Sequence, residues 1–156
     1  EDQNDFFQRY DQTGSMTMIL QEAIDYTEYY RCYVVGQKDV HVMPYEPRNP
    51  HHLRYEASFK PDKKIANAMH KYCLQIMSSL GYQCNSIEFA IRDGVPYAID
   101  YLNAAPDAEL SSVQQDNFDW FVEHMASFLI QEVRKGRYIP REYSWSDFMN
   151  PKVSIS

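Results

Sequence analysis

Apolar positions recur along this chain with two different periods, and each change of period marks an element. Ile65, Met69, Tyr72, Cys73, Ile76, Met77 and Leu80 fall three and four residues apart, which lines them along one side of a helix. Asp62 begins that helix. Gly81 stands just past the last apolar position, where a left-handed residue ends helices. A second, longer helix is predicted over Ser112–Lys135. Phe118, Phe121, Val122, Met125, Phe128, Leu129 and Val133 form its apolar side, and Gly136 and Pro140 close it.

Strands show as denser runs. Tyr29–Gly36 (YYRCYVVG) is rich in β-branched and aromatic residues, and Val40–Tyr45 returns after a turn at Gly36–Asp39. Met16–Ile24 is also predicted as a strand, preceded by a short helix over 2–10 and a turn cluster at Asp11–Ser15. Ser86–Arg92 and Pro96–Leu102 form a hairpin about Asp93-Gly94. Pro44, Pro47 and Pro50 introduce a long polar loop over 46–60 that carries Arg48, His51, His52 and Arg54. Residues 103–110 form a second loop. Hairpins dominate this order. The expected fold is therefore α+β: an antiparallel or mixed sheet with helices packed on one face. One domain over 1–156 is expected, with its core at 16–135 and a docking tail at 136–156 that carries Tyr143, Trp145 and Phe148.

The hairpin carries the most chemistry. Ile87, Phe89 and Ile91 alternate with Glu88 and Ala90, and Tyr97, Ile99 and Tyr101 alternate with Ala98 and Asp100. A two-residue turn would set Glu88 against Ile99 and turn one apolar set outward. A three-residue turn over 93–95 pairs 87 with 101, 89 with 99 and 91 with 97, and puts Glu88 across from Asp100. Burial sets register, so the second is predicted. Two carboxylates roughly 5 Å apart at Cβ repel unless a proton or cation lies between them. With the amide of Asn103 they form an oxygen donor set suited to Mg²⁺. On pattern alone, acids on an exposed sheet face also read as ordinary solvated charge.

Composition narrows the classes. The 156 residues are 44% hydrophobic and 15% aromatic, enough for a core. With 15 basic and 22 acidic residues the net charge is −7, which argues against a nucleic-acid partner. The five glycines, at 14, 36, 81, 94 and 136, lie too far apart to form a phosphate loop. No apolar run reaches the roughly 18–20 residues that span a bilayer, and Glu1–Tyr10 is too polar for a signal peptide. Cys32, Cys73 and Cys84 are odd in number and lack metal-ligand spacing. They read as buried thiols of a reducing, cytoplasmic protein.

Taken in order, MILQEAI, RCYVVG and IEFAIRDGVPYAIDYLNAAPD resemble the C-terminal half of an ATP-grasp domain, the fold of carboxylate–amine ligases, over residues 16–135. The resemblance implies a hinge strand at Gln21, Glu22, Ala23 and Ile24 that meets adenine. Glu28 would meet the ribose, with Asp25 as runner-up. It implies that Arg31 faces phosphate, and that Glu88, Asp100 and Asn103 hold one or two Mg²⁺ ions. The family spaces its second acid and its Asn two apart; here Asp100 and Asn103 are three apart. Either a bulge re-aims Asn103 or it belongs to the following loop. The implied activity is ATP-dependent activation of a small-molecule carboxylate as an acyl phosphate for attack by an amine or thiol. A module that kept the fold for nucleotide binding or interaction without catalysis is the alternative.

The family's N-terminal lobe, with its lysines and glycine-rich loop, is not found. Since the chain opens with Glu1, it is expected to be one lobe of a longer protein. Arg54 can clamp a phosphoryl group or a substrate carboxylate, or stand solvated in its loop. His51 and His52 lack zinc spacing, and His41, His70 and His124 read as structural. Ser111-Ser112 has no histidine at a spacing that suggests a hydrolase triad.

Overall fold

Tyr29–Val35 is buried along its whole length, and this places its strand in the middle of the sheet. The structure, a computed structural model, describes residues 2–56 and 59–136. Its strands are β1 (Glu28–Val35), β2 (Asp39–Pro44), β3 (Cys84–Arg92) and β4 (Val95–Asn103). They form one antiparallel sheet in the order β2-β1-β3-β4. β1 and β3 run in unbroken register from Glu28↔Ile91 to Val35↔Cys84.

The helices are α1 (Gln3–Asp11), α2 (Lys63–Leu80), α3 (Leu110–Val113) and α4 (Gln115–Lys135). α2 begins and ends as its sequence predicts. Asp62 Oδ1 accepts from the Ile65 N–H at 2.9 Å, and Gly81, at φ 71°, donates its N–H to Met77. Ile65, Met69, Cys73 and Met77 of α2 are buried against Tyr30, Cys32, Val34, Ile87, Phe89 and Ile91. The opposite face carries Tyr29, Tyr33, Ala90 and Ile99. There Met43, Tyr45 and Tyr55 pack with Val113, Phe118, Trp120 and Phe121 from α3 and α4. The α+β architecture is as expected, except that helix lies on both faces. No helix among the described residues is long and apolar enough to cross a membrane.

Three expectations are corrected. Met16–Ile24 is not a strand: it runs without regular structure, and Ile19 and Leu20 are 86% and 84% exposed. Strand propensity needs a ladder partner, and none of the four strands pairs with this segment. The long helix is broken at Gln114, whose φ of 68° and ψ of 166° separate α3 from α4. Residues of α4 are at most partly buried, and Leu129 and Val133 are exposed.

The third correction is the hairpin register. Asp93 and Gly94 both adopt positive φ, 55° and 72°, the two-residue turn whose twist matches its strands. Next to it the pairs are Arg92↔Val95, Ile91↔Pro96, Ala90↔Tyr97 and Phe89↔Ala98. Turn chemistry overrides burial here because β4 is an edge strand, half-exposed along its length, so its side chains exert little force on register. Ile99 accordingly packs on the face opposite Phe89. Of the expected tail at 136–156, all but Gly136 lies outside the described residues.

Candidate functional site

Despite the altered register, Glu88 and Asp100 face one another. β4 shifts by one residue between the Phe89↔Ala98 and Glu88↔Asp100 pairs. This bulge returns Asp100 to the position across from Glu88. A second shift follows before Ser86↔Asn103, so Asp100 and Asn103, though three apart, oppose Glu88 and Ser86 on one sheet face. On the other side β1 sets Arg31 against Glu88. Arg31, Glu88 and Asp100 thus form a charged row across three adjacent strands.

Arg31 is only 7% exposed. Nη1 donates to the Tyr55 hydroxyl at 2.6 Å and Nη2 to Ser86 Oγ at 3.1 Å. Nε lies 3.8 Å from Glu88 Oε1 and has no hydrogen-bond partner among the described residues. Burial works against the guanidinium charge, but Tyr55 and Glu88 outweigh it and hold the Arg31 pKa above its ordinary value. Glu88 accepts from the Tyr29 hydroxyl at 2.8 Å. Burial pushes its pKa up, and the Asp100 carboxylate adds to this; Tyr29, Arg31 and Arg54 pull the other way and do not cancel it. An ionised Glu88 beside Asp100 is therefore only partly compensated by Arg31 and Arg54.

Around this row stands a wall of tyrosines. Tyr26, Tyr29, Tyr45 and Tyr55 contact in sequence, with ring centroids 4.9, 5.9 and 5.0 Å apart. Arg54 belongs to the same side: Nη1 donates to the Tyr45 hydroxyl and Nε to the Asn49 carbonyl, both at 3.1 Å. The loop after β4 adds Asp107, which accepts from the Ser112 hydroxyl and whose backbone carbonyl accepts from Tyr33. Burial opposes the Asp107 charge, but Ser112, the Glu109 N–H, Arg31 and His51 hold its pKa below the usual carboxylate range. His51 Nε2 lies 3.4 Å from Ser112 Oγ and 3.5 Å from Asp107 Oδ2. A single ring nitrogen faces both groups, so the trio is no serine-hydrolase relay.

The residues expected at the nucleoside end are more scattered. Gln21 donates to the Ile99 carbonyl at 3.2 Å, and Glu22 pairs with Arg92 at 3.2 Å. Ala23 is exposed, and Ile24 packs against the second face of the sheet. Glu28 opens β1 and accepts from Tyr30, on the face that α2 covers and opposite the charged row. The structure unites Arg31, Arg54, Glu88, Asp100 and Asn103 on one face and leaves Glu28 on the other.

Among the described residues no three His, Cys, Asp or Glu side chains converge as a metal-binding group. Two carboxylates and an amide would remain for a hard cation that keeps water or phosphate in its other positions. The chemistry of this donor set, all oxygen with two adjacent carboxyls, fits Mg²⁺.

Solved structures match this architecture. D-alanine–D-alanine ligase from Bacillus anthracis, complexed with ATP, superposes with a TM-score of 0.65 at 16% identity over 86% of this chain. A second structure of that ligase gives 0.63 at 13% identity over 85%. The fold is that of an ATP-grasp C-terminal lobe. No protein-family model and no curated protein sequence matches the chain. The lobe spans just under half of the ligase, 48% and 47% in the two structures.

Several residues that build this fold escape a reading of the sequence. Tyr29, Tyr55 and Ser86 hold Glu88 and Arg31, but nothing in their spacing sets them apart from other tyrosines and serines. Asn85 did leave a signal: an amide inside a run of strand residues must find hydrogen-bond partners once buried.

Proposed function

We propose that this lobe forms the acidic half of an ATP-dependent ligase site. The observation that carries this is the row Arg31–Glu88–Asp100 on a lobe of ATP-grasp fold. The substrate carboxylate would attack the γ-phosphorus of ATP and expel ADP, giving an acyl phosphate. An amine, or a thiol, would then attack the acyl carbon, lose its proton and expel phosphate. Bound at Glu88, Asp100 and Asn103, Mg²⁺ would neutralise charge on the transferring phosphoryl group.

The residues of the chain would do the positioning. Glu88 and Asp100 would bring carboxylate oxygens to one face. Arg54, half-buried at the edge of that face, would bind phosphoryl oxygen or the substrate carboxylate. Arg31, held by Tyr55 and Ser86, would keep positive charge beneath the row. Gln21–Ile24 would serve the nucleoside; Glu28, turned to the α2 face and bonded to Tyr30, is left out of this role. An N-terminal lobe would cover ATP from the other side, in a protein of the cytoplasm. ATP bound to the ligase of the same fold supports the nucleotide; acidity and the donor set support the cation.

The test is Mg²⁺-dependent ATP binding by the full-length protein, wild type against Glu88→Gln and Asp100→Asn. Each substitution is expected to weaken binding at least tenfold. Unchanged metal-dependent affinity in both would sink the assignment.

A further inference from the structure

Asn85 is fully buried on β3 and lies on the α2 face, opposite the charged row. Both ends of its amide bond to the backbone of β4. Nδ2 donates to the Tyr101 carbonyl at 2.9 Å, and Oδ1 accepts from the Asn103 N–H at 3.0 Å. These two backbone groups flank the second bulge, where the pairing steps from Glu88↔Asp100 to Ser86↔Asn103. A bulge leaves backbone groups outside the ladder, and a buried group left unpaired costs about 1–3 kcal/mol. The side chain of Asn85 acts as a surrogate peptide unit that satisfies both groups. One face of an amide donates and the other accepts, so it fits this carbonyl–amide pair in a single orientation.

The consequence falls on Asn103. In a regular strand, residues 100 and 103 would face opposite sides of the sheet. The bulge that Asn85 closes is what puts both on the face of Glu88. We infer that Asn85 is a positioning residue that makes Asn103 a third oxygen donor for the cation at Glu88 and Asp100. The inference rests on the metal assignment proposed above.

The test is a double-mutant cycle read by Mn²⁺ binding. Mn²⁺ serves as a paramagnetic probe, titrated into the full-length protein with ATP and followed by electron paramagnetic resonance. Asn85→Leu keeps the approximate shape and loses both hydrogen bonds. It and Asn103→Ala are each expected to weaken Mn²⁺ about tenfold, the lower range for a residue that orients a ligand. The double variant is expected to bind no more weakly than Asn103→Ala alone. Asn85→Val, a strand former that also lacks the amide, is expected to weaken Mn²⁺ about tenfold as well. It also serves where Asn85→Leu does not fold.

Unchanged affinity in a folded Asn85→Leu or Asn85→Val, or additive losses in the double variant, would each overturn the role of Asn85. Unchanged affinity in Glu88→Gln is a separate result that removes the cation site itself.

Discussion

The Tyr29 hydroxyl donates to Glu88 Oε2 at 2.8 Å across the β1–β3 pairing. It is the one hydrogen bond this mostly buried carboxylate receives among the described residues, since Arg31 Nε stays 3.8 Å away. A hydrogen bond to a charged group contributes about 1.5–3 kcal/mol. Tyr29→Phe keeps the ring contacts with Tyr26 and Tyr45 and loses only the bond. Urea denaturation of this variant is expected to show a loss of about 1.5 kcal/mol. An unchanged midpoint would mean that water replaces the hydroxyl without cost.

Arg31 is buried more deeply than a phosphate clamp needs to be, and its two terminal nitrogens already serve Tyr55 and Ser86. Lysine cannot reach two partners in that fork geometry. Arg31→Lys is expected to lose about 2 kcal/mol of stability. Arg31→Met, which leaves Glu88 without its buried counter-charge, is expected to lose about 3–5 kcal/mol. Chemical denaturation of both variants checks the order; equal stability in Met and wild type would show that the pair contributes nothing net.

These anchoring residues mark where legibility ends. α2 was readable because cap, apolar stripe and terminal glycine agree from Asp62 to Gly81. The central strand β1 was readable because it is buried on both faces and so densely apolar. The hairpin was readable in outcome but not in path. Glu88 does face Asp100, yet through a tight two-residue turn followed by a bulge, and not through a longer turn. Bulges are invisible to a period-two pattern, since they consist in its local failure. Met16–Ile24 shows the converse: the apolar run is real, but a strand is a relation between segments, and no partner stands beside this one. Glu88 and Asp100 could be picked out from the hairpin's alternation, and Arg31 through the family resemblance. Tyr29, Tyr55 and Ser86 could not, because their roles exist only once the strands are paired.

Gly36 ties the β1–β2 turn to α4. It sits at φ 63°, and a Cβ there would come within 2.8 Å of the Phe128 ring. Left-handed backbone costs a non-glycine residue about 1–2 kcal/mol, and the clash adds to it. Gly36→Ala is expected to lose about 2–3 kcal/mol. In a Phe128→Leu background, where the ring edge is gone, the same change is expected to lose only the backbone share, about 1–2 kcal/mol. Identical losses in both backgrounds, measured by thermal or urea unfolding, would show that the turn and α4 do not touch in solution.

The loop over 46–60 is pinned at Glu46. Its carboxylate accepts from Arg48 Nε at 2.8 Å, Arg48 Nη2 at 2.7 Å and the Tyr26 hydroxyl at 2.7 Å, while the Arg48 guanidinium lies 4.5 Å over the Tyr26 ring. The Arg48 bonds are the largest influence and hold the Glu46 pKa down at about 2, with Tyr26 assisting. A carboxyl whose pKa is depressed in the folded state stabilises it above the unfolded value, near 4.3. That stabilisation is lost as pH falls toward 2. Arg48 is exposed, so the contribution is screened and small. Glu46→Gln should therefore destabilise the chain modestly at pH 7 and progressively less as pH falls from about 4.5, with a small remainder at pH 2, where the folded carboxyl is half-ionised. Unfolding measured in both proteins across this range, at low and high salt, checks the sign and the screening together. A loss that persists unchanged at pH 2 would assign the effect of Glu46 to packing and not to its charge.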